Sequence, residues 1–335
     1  MSAPSGLDFE RPIFDLEKKI QELAAFQEAK GVDLTETIEQ LRAEQRRLAS
    51  SIYANLTPWQ EVQVARHRDR PSTMDYIAMI FTQFIELHGD RLFRDDGAVV
   101  CGFARLEGRR VLIIGHRKGK STRESVACNW GLAHPEGYRK AMHKARLAER
   151  LGIPILMFID TAGAYPGVGA EERGVAQSIA ENIADLSTLR APILCVVLGE
   201  GASGGALGIG VGDRTLMLEH SYFSVITPEG CAAILFRSSE KKEEAAVALH
   251  LTSKDMLRLN ITDEVVPEPD LAAHYQPREA ATCLKAALIR HLDELLATPI
   301  EDLLAKRYDK YRRLGQFLGG DAPQENPKSQ IPDSR

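Results

Sequence analysis

The sequence predicts an α/β fold in which a largely parallel sheet is crossed by helices. Two apolar runs carry the prediction. Ile153-Pro154-Ile155-Leu156-Met157-Phe158-Ile159 ends at Asp160, and Ile193-Leu194-Cys195-Val196-Val197-Leu198 ends at Gly199. Each is followed by a glycine-rich loop and then a helical pattern, and continuous runs of this length suit strands covered on both faces. Shorter runs at Thr215 to Leu218 and Tyr222 to Ile226 extend the sheet. In such sheets ligands gather at the carboxyl ends of the strands.

The elements follow in order. From about Phe9 to Leu56 the apolar positions Ile13, Leu16, Ile20 and Leu23, then Leu34, Ile38, Leu41, Leu48 and Ile52, recur at steps of three and four around a polar Gln45, predicting two helices. Pro12 suits a first helical turn, and Gly31 suits the break between the helices. Such a hairpin serves either as an arm gripping a partner chain or as one packed on its own domain. The basic stretch Ala65-Arg66-His67-Arg68-Asp69-Arg70-Pro71 reads as a solvated charged segment or, less simply, as a phosphate site. A helical run follows through Tyr76, Ile77, Ile80, Phe81 and Phe84. Ala98 to Leu106 and Arg109 to Gly115 flank Glu107-Gly108 as a β-hairpin. The chain closes with helices from about Arg278 to Ala297 and Ile300 to Leu314; beyond Gly319 the composition is too polar to bury anything, predicting a disordered tail. Three regions result: a helical arm, 1–56; a main domain, 57–298; and a C-terminal helix with its tail, 299–335.

Composition narrows the function classes. At 335 residues with 44% hydrophobic and 27% charged side chains, the chain is long enough for a sizeable core and is not disordered by composition. No apolar stretch approaches a membrane span and no signal peptide opens the sequence, so a cytoplasmic protein is expected. The five cysteines are widely spaced with no Cys-x-x-Cys pair, which favours reduced structural thiols over zinc or thiol exchange. A formal charge of −5 offers no global case for binding nucleic acid.

Two loops can carry chemistry. The first, Asp160 to Gly174, holds four glycines, and Gly163, Ala164, Tyr165, Pro166 and Gly167 are its candidate substrate wall; small residues let backbone approach a ligand. The alternative is a plain connection leading into a helix that starts near Ala170, with Glu171 and Glu172 in its first turn. The second is Gly199-Glu200-Gly201-Ala202-Ser203-Gly204-Gly205-Ala206. If a helix starts near Ser203, the first N–H groups at Gly204, Gly205 and Ala206 lack intrahelical acceptors and form an oxyanion hole; the alternative is close packing of helix on sheet. Neither loop contains histidine, and Asp160 and Glu200 are the obvious carboxylates.

Gly201-Ala202-Ser203-Gly204-Gly205 also fits the nucleophile elbow of a serine hydrolase, with Ser203 attacking and His220, His250, His274 or His291 and Asp255, Asp263 or Asp270 completing a triad. A non-enzymatic scaffold is a third reading, disfavoured by two loops rich in potential donors on one cleft.

Longer words complete the reading: Leu87-His88-Gly89-Asp90-Arg91 with Asp95-Asp96, Ile113-Ile114-Gly115-His116 with Lys118-Gly119, Pro135-Glu136-Gly137-Tyr138-Arg139-Lys140-Ala141, Ala164 to Gly174, Ser203-Gly204-Gly205-Ala206, and Ser224 to Ala232. In these the chain resembles the alpha subunits of bacterial and plastid acetyl-CoA carboxylase carboxyltransferase from the arm to about Tyr311. The resemblance implies a crotonase-like fold of repeated ββα units. It implies transfer of a carboxyl group from carboxybiotin on a carrier protein to acetyl-CoA, giving malonyl-CoA for fatty acid synthesis. It also implies an α2β2 assembly with a zinc-ribbon beta subunit, a biotin carboxyl carrier protein and biotin carboxylase as partners, and no metal in this chain. The backbone N–H groups of Gly205 and Ala206, with Gly204 adjacent, are then the donors to the ureido oxygen. Ala162 stands where the family commonly has proline.

Overall fold

The computed structural model describes residues 6–315. Helices α1 (Arg11–Lys30) and α2 (Thr35–Ala54) form the predicted hairpin, with Pro12 in the first turn and Gly31 capping α1 at φ 66°. Ile20 and Ile38 are buried along the hairpin, and Gln45 is buried too, donating to Glu17 at 2.9 Å. The root of the arm packs on its own chain: Ile13, Ala49 and Tyr53 cluster with Val64 and Ala272. Glu10 accepts from Tyr53 Oη at 2.8 Å and pairs with His274 at 3.0 Å.

Helix α3 (Pro58–Ala65) starts in a capping box at Thr57, and α4 (Thr73–Ile80) follows the basic stretch. The expected helix through Phe84 stops at Ile80, because Thr82–Glu86 forms an edge strand, β1, paired antiparallel with β2 (Val99–Leu106). Phe84 lies flat where a Cβ on Gly102 would stand, its ring 2.4 Å from that position. Strand β2 turns through Glu107 and Gly108, both at positive φ, into antiparallel β3 (Arg109–His116).

The chain continues through α5 (Thr122–Ala127), α6 (Pro135–Arg150), β4 (Ile155–Thr161), α7 (Val168–Glu172), α8 (Val175–Thr188) and β5 (Ile193–Ala202). The helix expected from Ala170 onward is broken at Gly174, whose φ is 76°, into α7 and α8. After α9 (Ser203–Leu207) come β6 (Arg214–Leu218) and β7 (Tyr222–Ser224); the latter is shorter than expected and is paired with the end of β5. Helices α10 (Pro228–Leu235), α11 (Lys242–Leu249) and α12 (Ser253–Arg258) precede β8 (Glu264–Val266). Helices α13 (Ala272–Tyr275), α14 (Pro277–Ala297) and α15 (Ile300–Arg312) complete the described chain; the expected disordered tail lies outside it.

The sheet order is β1-β2-β3-β4-β5-β6-β8, parallel from β3 onward. Alternate residues of β3, β4 and β5 enter two cores. Ile114, Met157, Ile159 and Val197 face one in which α6 and α8 also take part, while Ile113, Phe158, Val196 and Leu198 face one shared with α4 and α14. Covering both faces is why the runs read as continuously apolar, and each such side chain contributes roughly 1.5–3 kcal/mol on burial. Arg307 of α15 is fully buried, paired with Asp213 and donating to the carbonyls of Leu186, Leu189 and Ala191. Cys101, Cys128, Cys195, Cys231 and Cys283 are all free thiols. Among the described residues no helix is long and apolar enough to cross a membrane.

Candidate active site

Strands β4 and β5 are adjacent and parallel, in register from Ile155–Ile193 to Ile159–Val197, so their carboxyl ends deliver the two glycine loops to one edge. The loops touch through backbone. A Cβ built on Gly205 would stand 2.3 Å from the carbonyl carbon of Gly163 and 2.6 Å from the nitrogen of Ala164; only glycine permits that approach. Gly163 is held from behind, since Thr161 Oγ1 accepts its N–H at 3.1 Å and donates to the Gly131 carbonyl at 2.7 Å. Ala164 bridges to Ala133, and the Tyr165 ring rests 4.2 Å from that of His134. Tyr165 is half-buried, Pro166 is exposed and Gly167 is half-buried, with the Tyr165 ring occupying the space a Cβ on Gly167 would need.

The helix after β5 begins at Ser203, with Ala202 as an extended N-cap. Ser203, Gly204 and Gly205 fill the first three helical positions, where an N–H has no intrahelical acceptor. Among the described residues none of these N–H groups donates to a backbone acceptor outside the helices and strands; Ala206 is the fourth helical position, whose N–H goes to the N-cap carbonyl of Ala202 and so, against expectation, is not a free donor. Ser203 sits at φ 59°, a strained value for a non-glycine residue, and is exposed; Gly204 is half-buried, and Gly205 and Ala206 are buried. The solvent side of this row is therefore at Ser203 and Gly204.

An ion-pair knot supports both loop stems. Lys118 Nζ lies 2.8 Å from Asp160 Oδ1 and 2.6 Å from Glu200 Oε2. Glu200 Oε1 takes Arg66 Nε at 2.5 Å and Tyr222 Oη at 2.8 Å, and the Glu200 N–H donates to Asp160 Oδ1 at 3.1 Å. Burial alone would raise the Glu200 pKa, but Lys118 and Arg66 outweigh it and hold the carboxyl down at about 2. Asp160 and Glu200 are thus ion-pair partners rather than free bases. His116 is fully buried, and burial with Lys118 nearby depresses its pKa to about 3, so its ring is neutral; Nδ1 accepts the Asp160 N–H at 3.3 Å.

The basic stretch before α4 is not a solvated segment. Arg66 also binds Glu229 at 2.6 Å, and Arg70 is buried on Glu268 and the Leu198 carbonyl, because the chain passes directly under the end of β5. Arg68 is exposed. With Lys118, Glu200, Ala162 and Trp130 these residues enclose a cavity of about 350 Å³. Spacing did not reveal the knot: Lys118 lies 42 residues from Asp160 and 82 from Glu200, and only the sheet brings them together.

The triad does not form. His220 is bonded to Glu61 at 2.9 Å, His274 to Glu10 at 3.0 Å and His291 to Glu264 at 2.8 Å, while His250 faces Asp255 at 3.8 Å. Glu10, His67 and His274 are the described side chains grouped closely enough to hold a metal, their ligand atoms within 4.8 Å. They lie at the root of the arm, and the Glu10 carboxylate already accepts from the Leu7 N–H and Tyr53.

Comparison with known proteins adds a second line of evidence. Residues 6–315 match the family described as acetyl co-enzyme A carboxylase carboxyltransferase-like. Proteins named acetyl-coenzyme A carboxylase carboxyl transferase subunit alpha are similar over nearly the whole chain. That of Rhodopirellula baltica is 50% identical, covering 95% of this chain and 99% of its own length. That of Thermus thermophilus is 51% identical, covering 93% and 98%. Among solved structures, transcarboxylase 12S superposes with a TM-score of 0.53 at 19% identity over 76% of this chain and 44% of its own, so the present chain spans less than half of that protein. A Pseudomonas malonate decarboxylase hetero-tetramer, solved with coenzyme A, gives 0.52 at 19% identity over 65% of this chain and 87% of its own. These superpositions show a crotonase-like fold.

Proposed function

The chain belongs to the family of acetyl-CoA carboxylase carboxyltransferase alpha subunits, and from that premise we propose how its own residues serve the transfer. It is a biotin-dependent carboxyltransferase subunit. Biotin, carried on a separate protein, supplies a ureido group from which the carboxylate is transferred. The N–H groups of Gly204 and Gly205, rather than that of Ala206, donate to the ureido oxygen on which negative charge grows as the carboxylate departs. The fit rests on two features of this chain: among the described residues the N–H groups of Gly204 and Gly205 have no backbone acceptor outside the helices and strands, and Gly205 packs directly on the backbone of Gly163 and Ala164. Donors fixed before the reaction pay no reorganisation cost, and one such donor is worth roughly 3–4 kcal/mol. The segment Gly163 to Gly167 forms the facing wall. Lys118, Asp160, Glu200 and Arg66 hold the two loop stems in register and move no proton.

The remaining parts come from a partner. In this reading acetyl-CoA is held mainly by a beta subunit in an α2β2 assembly. The assembly receives carboxybiotin from a carrier protein charged by biotin carboxylase, in the cytoplasm. The observation that carries this reading is the free N–H row at the Gly163–Gly205 contact. The purified chain alone is expected to be inactive, and addition of the beta subunit with biotin and malonyl-CoA is expected to release acetyl-CoA. Full activity of the chain alone, or reaction of Ser203 with a fluorophosphonate, would overturn it.

A further inference from the structure

Between α5 and α6 three successive residues adopt the left-handed conformation: Asn129 at φ 46°, Trp130 at φ 51° and Gly131 at φ 81°. Asparagine and glycine tolerate this region, but for Trp130 it is strained and kept only where the surroundings enforce it. Here they do. Gly131 N–H bonds to the Cys128 carbonyl at 2.9 Å, the Leu132 N–H to the Asn129 carbonyl at 2.8 Å, and the Gly131 carbonyl takes the hydroxyl of Thr161 at 2.7 Å. Two residues further on, Ala133 bridges to Ala164. The turn is therefore fastened to the first glycine loop at two points, and what it presents is an indole that remains 58% exposed. That indole lines the cavity of about 350 Å³ at the ends of β3, β4 and β5, together with Arg66 and Lys118. The cavity also includes Ala162, which directly precedes Gly163, the residue on which Gly205 packs.

We propose that Trp130 is the stacking platform for the fused ureido ring of biotin, fixing the ring so that its oxygen faces the N–H row of the second loop. This rests on the carboxyltransferase reading and assigns the residue that orients the ring. Charge separates this ligand from the other flat group in the reaction, the adenine of coenzyme A. The cations around the cavity are mostly neutralised: Arg66 by Glu200 and Glu229, Arg70 by Glu268, Lys118 by Asp160 and Glu200, and Lys120 by Asp75. A nucleotide would bring several phosphate charges to a place where Arg68 alone has no ion partner among the described residues, beside two buried carboxylates. The uncharged face of a ureido ring meets an indole without that penalty.

The test is the reverse reaction of the complex with the beta subunit, release of acetyl-CoA from malonyl-CoA with biocytin as acceptor. Trp130→Ala should raise the KM for biocytin about two- to tenfold, as expected for losing a contact with an aromatic face, and leave the KM for malonyl-CoA unchanged. Trp130→Phe, which keeps a ring, should stay near wild type. An unmoved KM for biocytin in Trp130→Ala, whatever its kcat, overturns the proposal. So does a rise in the malonyl-CoA KM alone, which would assign the indole to the coenzyme. A wild-type complex with no activity would remove the carboxyltransferase reading as well, which distinguishes the two failures.

Discussion

The second glycine loop and the ion-pair knot below it share the last residues of β5, but one is built by omitting side chains and the other by matching them. At Gly205 a single added carbon collides with the backbone of the neighbouring loop. At Lys118 and Glu200 every charged atom has a partner within 2.5–2.8 Å, and harm comes from taking atoms away. The difference separates two jobs. The loop offers donors to a ligand, so damage there should appear in turnover; the knot fixes strand ends, so damage there should appear first in stability.

The sharpest break of that contrast is Gly205→Val. Two branching carbons where no Cβ fits would part the loops and misplace the N–H row, lowering kcat of the complex with the beta subunit by about 10²–10³-fold. Circular dichroism should still report a folded chain. Lys118→Met should invert the pattern. Asp160 and Glu200 would be left without their shared cation, costing about 3–5 kcal/mol, which calorimetry should read as a Tm lower by roughly 10 °C. Adding Glu200→Gln should restore part of that loss, since one of the stranded charges is then gone.

Acid sharpens the same comparison. Glu200 and Glu268 are both held at about 2 against an ordinary 4.5; burial opposes this, and Lys118 with Arg66, and Arg70 with His220, outweigh burial. A carboxyl with a depressed folded pKa binds protons more readily when unfolded, so its contribution is complete above pH 4.5 and is lost as pH falls from 4.5 through 2. Urea unfolding across that window should show a steep loss of stability, and Glu200→Gln, though less stable at pH 7, should lose less of its stability across the same range. The smallest effect is expected at Ser203. Its hydroxyl has no triad, so Ser203→Ala should keep turnover within about threefold, and Ser203→Gly, relieving a positive φ, should add about 0.5–1 kcal/mol to stability.

The sequence made the strands legible because Ile155 to Ile159 and Ile193 to Leu198 are buried on both faces and leave no polar interruption. It made the loops legible because their glycines follow those strands at once. What it concealed depends on distant contacts. Phe84 reads as helix by spacing, and its place on an edge strand is decided by Gly102, a residue eighteen positions later whose missing side chain admits the ring. Arg66 and Arg70 look solvated in a run of charges, and their carboxylates at Glu200 and Glu268 come within reach only when the sheet sets β5 and, one strand beyond β6, the end of β8 in one layer. Trp130 gives no local sign at all, since its exposure follows from a left-handed turn fastened to another loop.

The central claim is that the N–H groups of Gly204 and Gly205 point at the oxygen of a bound ureido group. Isotope-edited infrared spectroscopy of biocytin carrying a labelled ureido carbonyl, bound to the complex of this chain with the beta subunit, measures those hydrogen bonds directly. The carbonyl stretch should fall below its value in water in the wild-type complex and return toward that value in Gly205→Val. A stretch that does not fall in the wild type, or falls equally in the variant, would contradict the assignment.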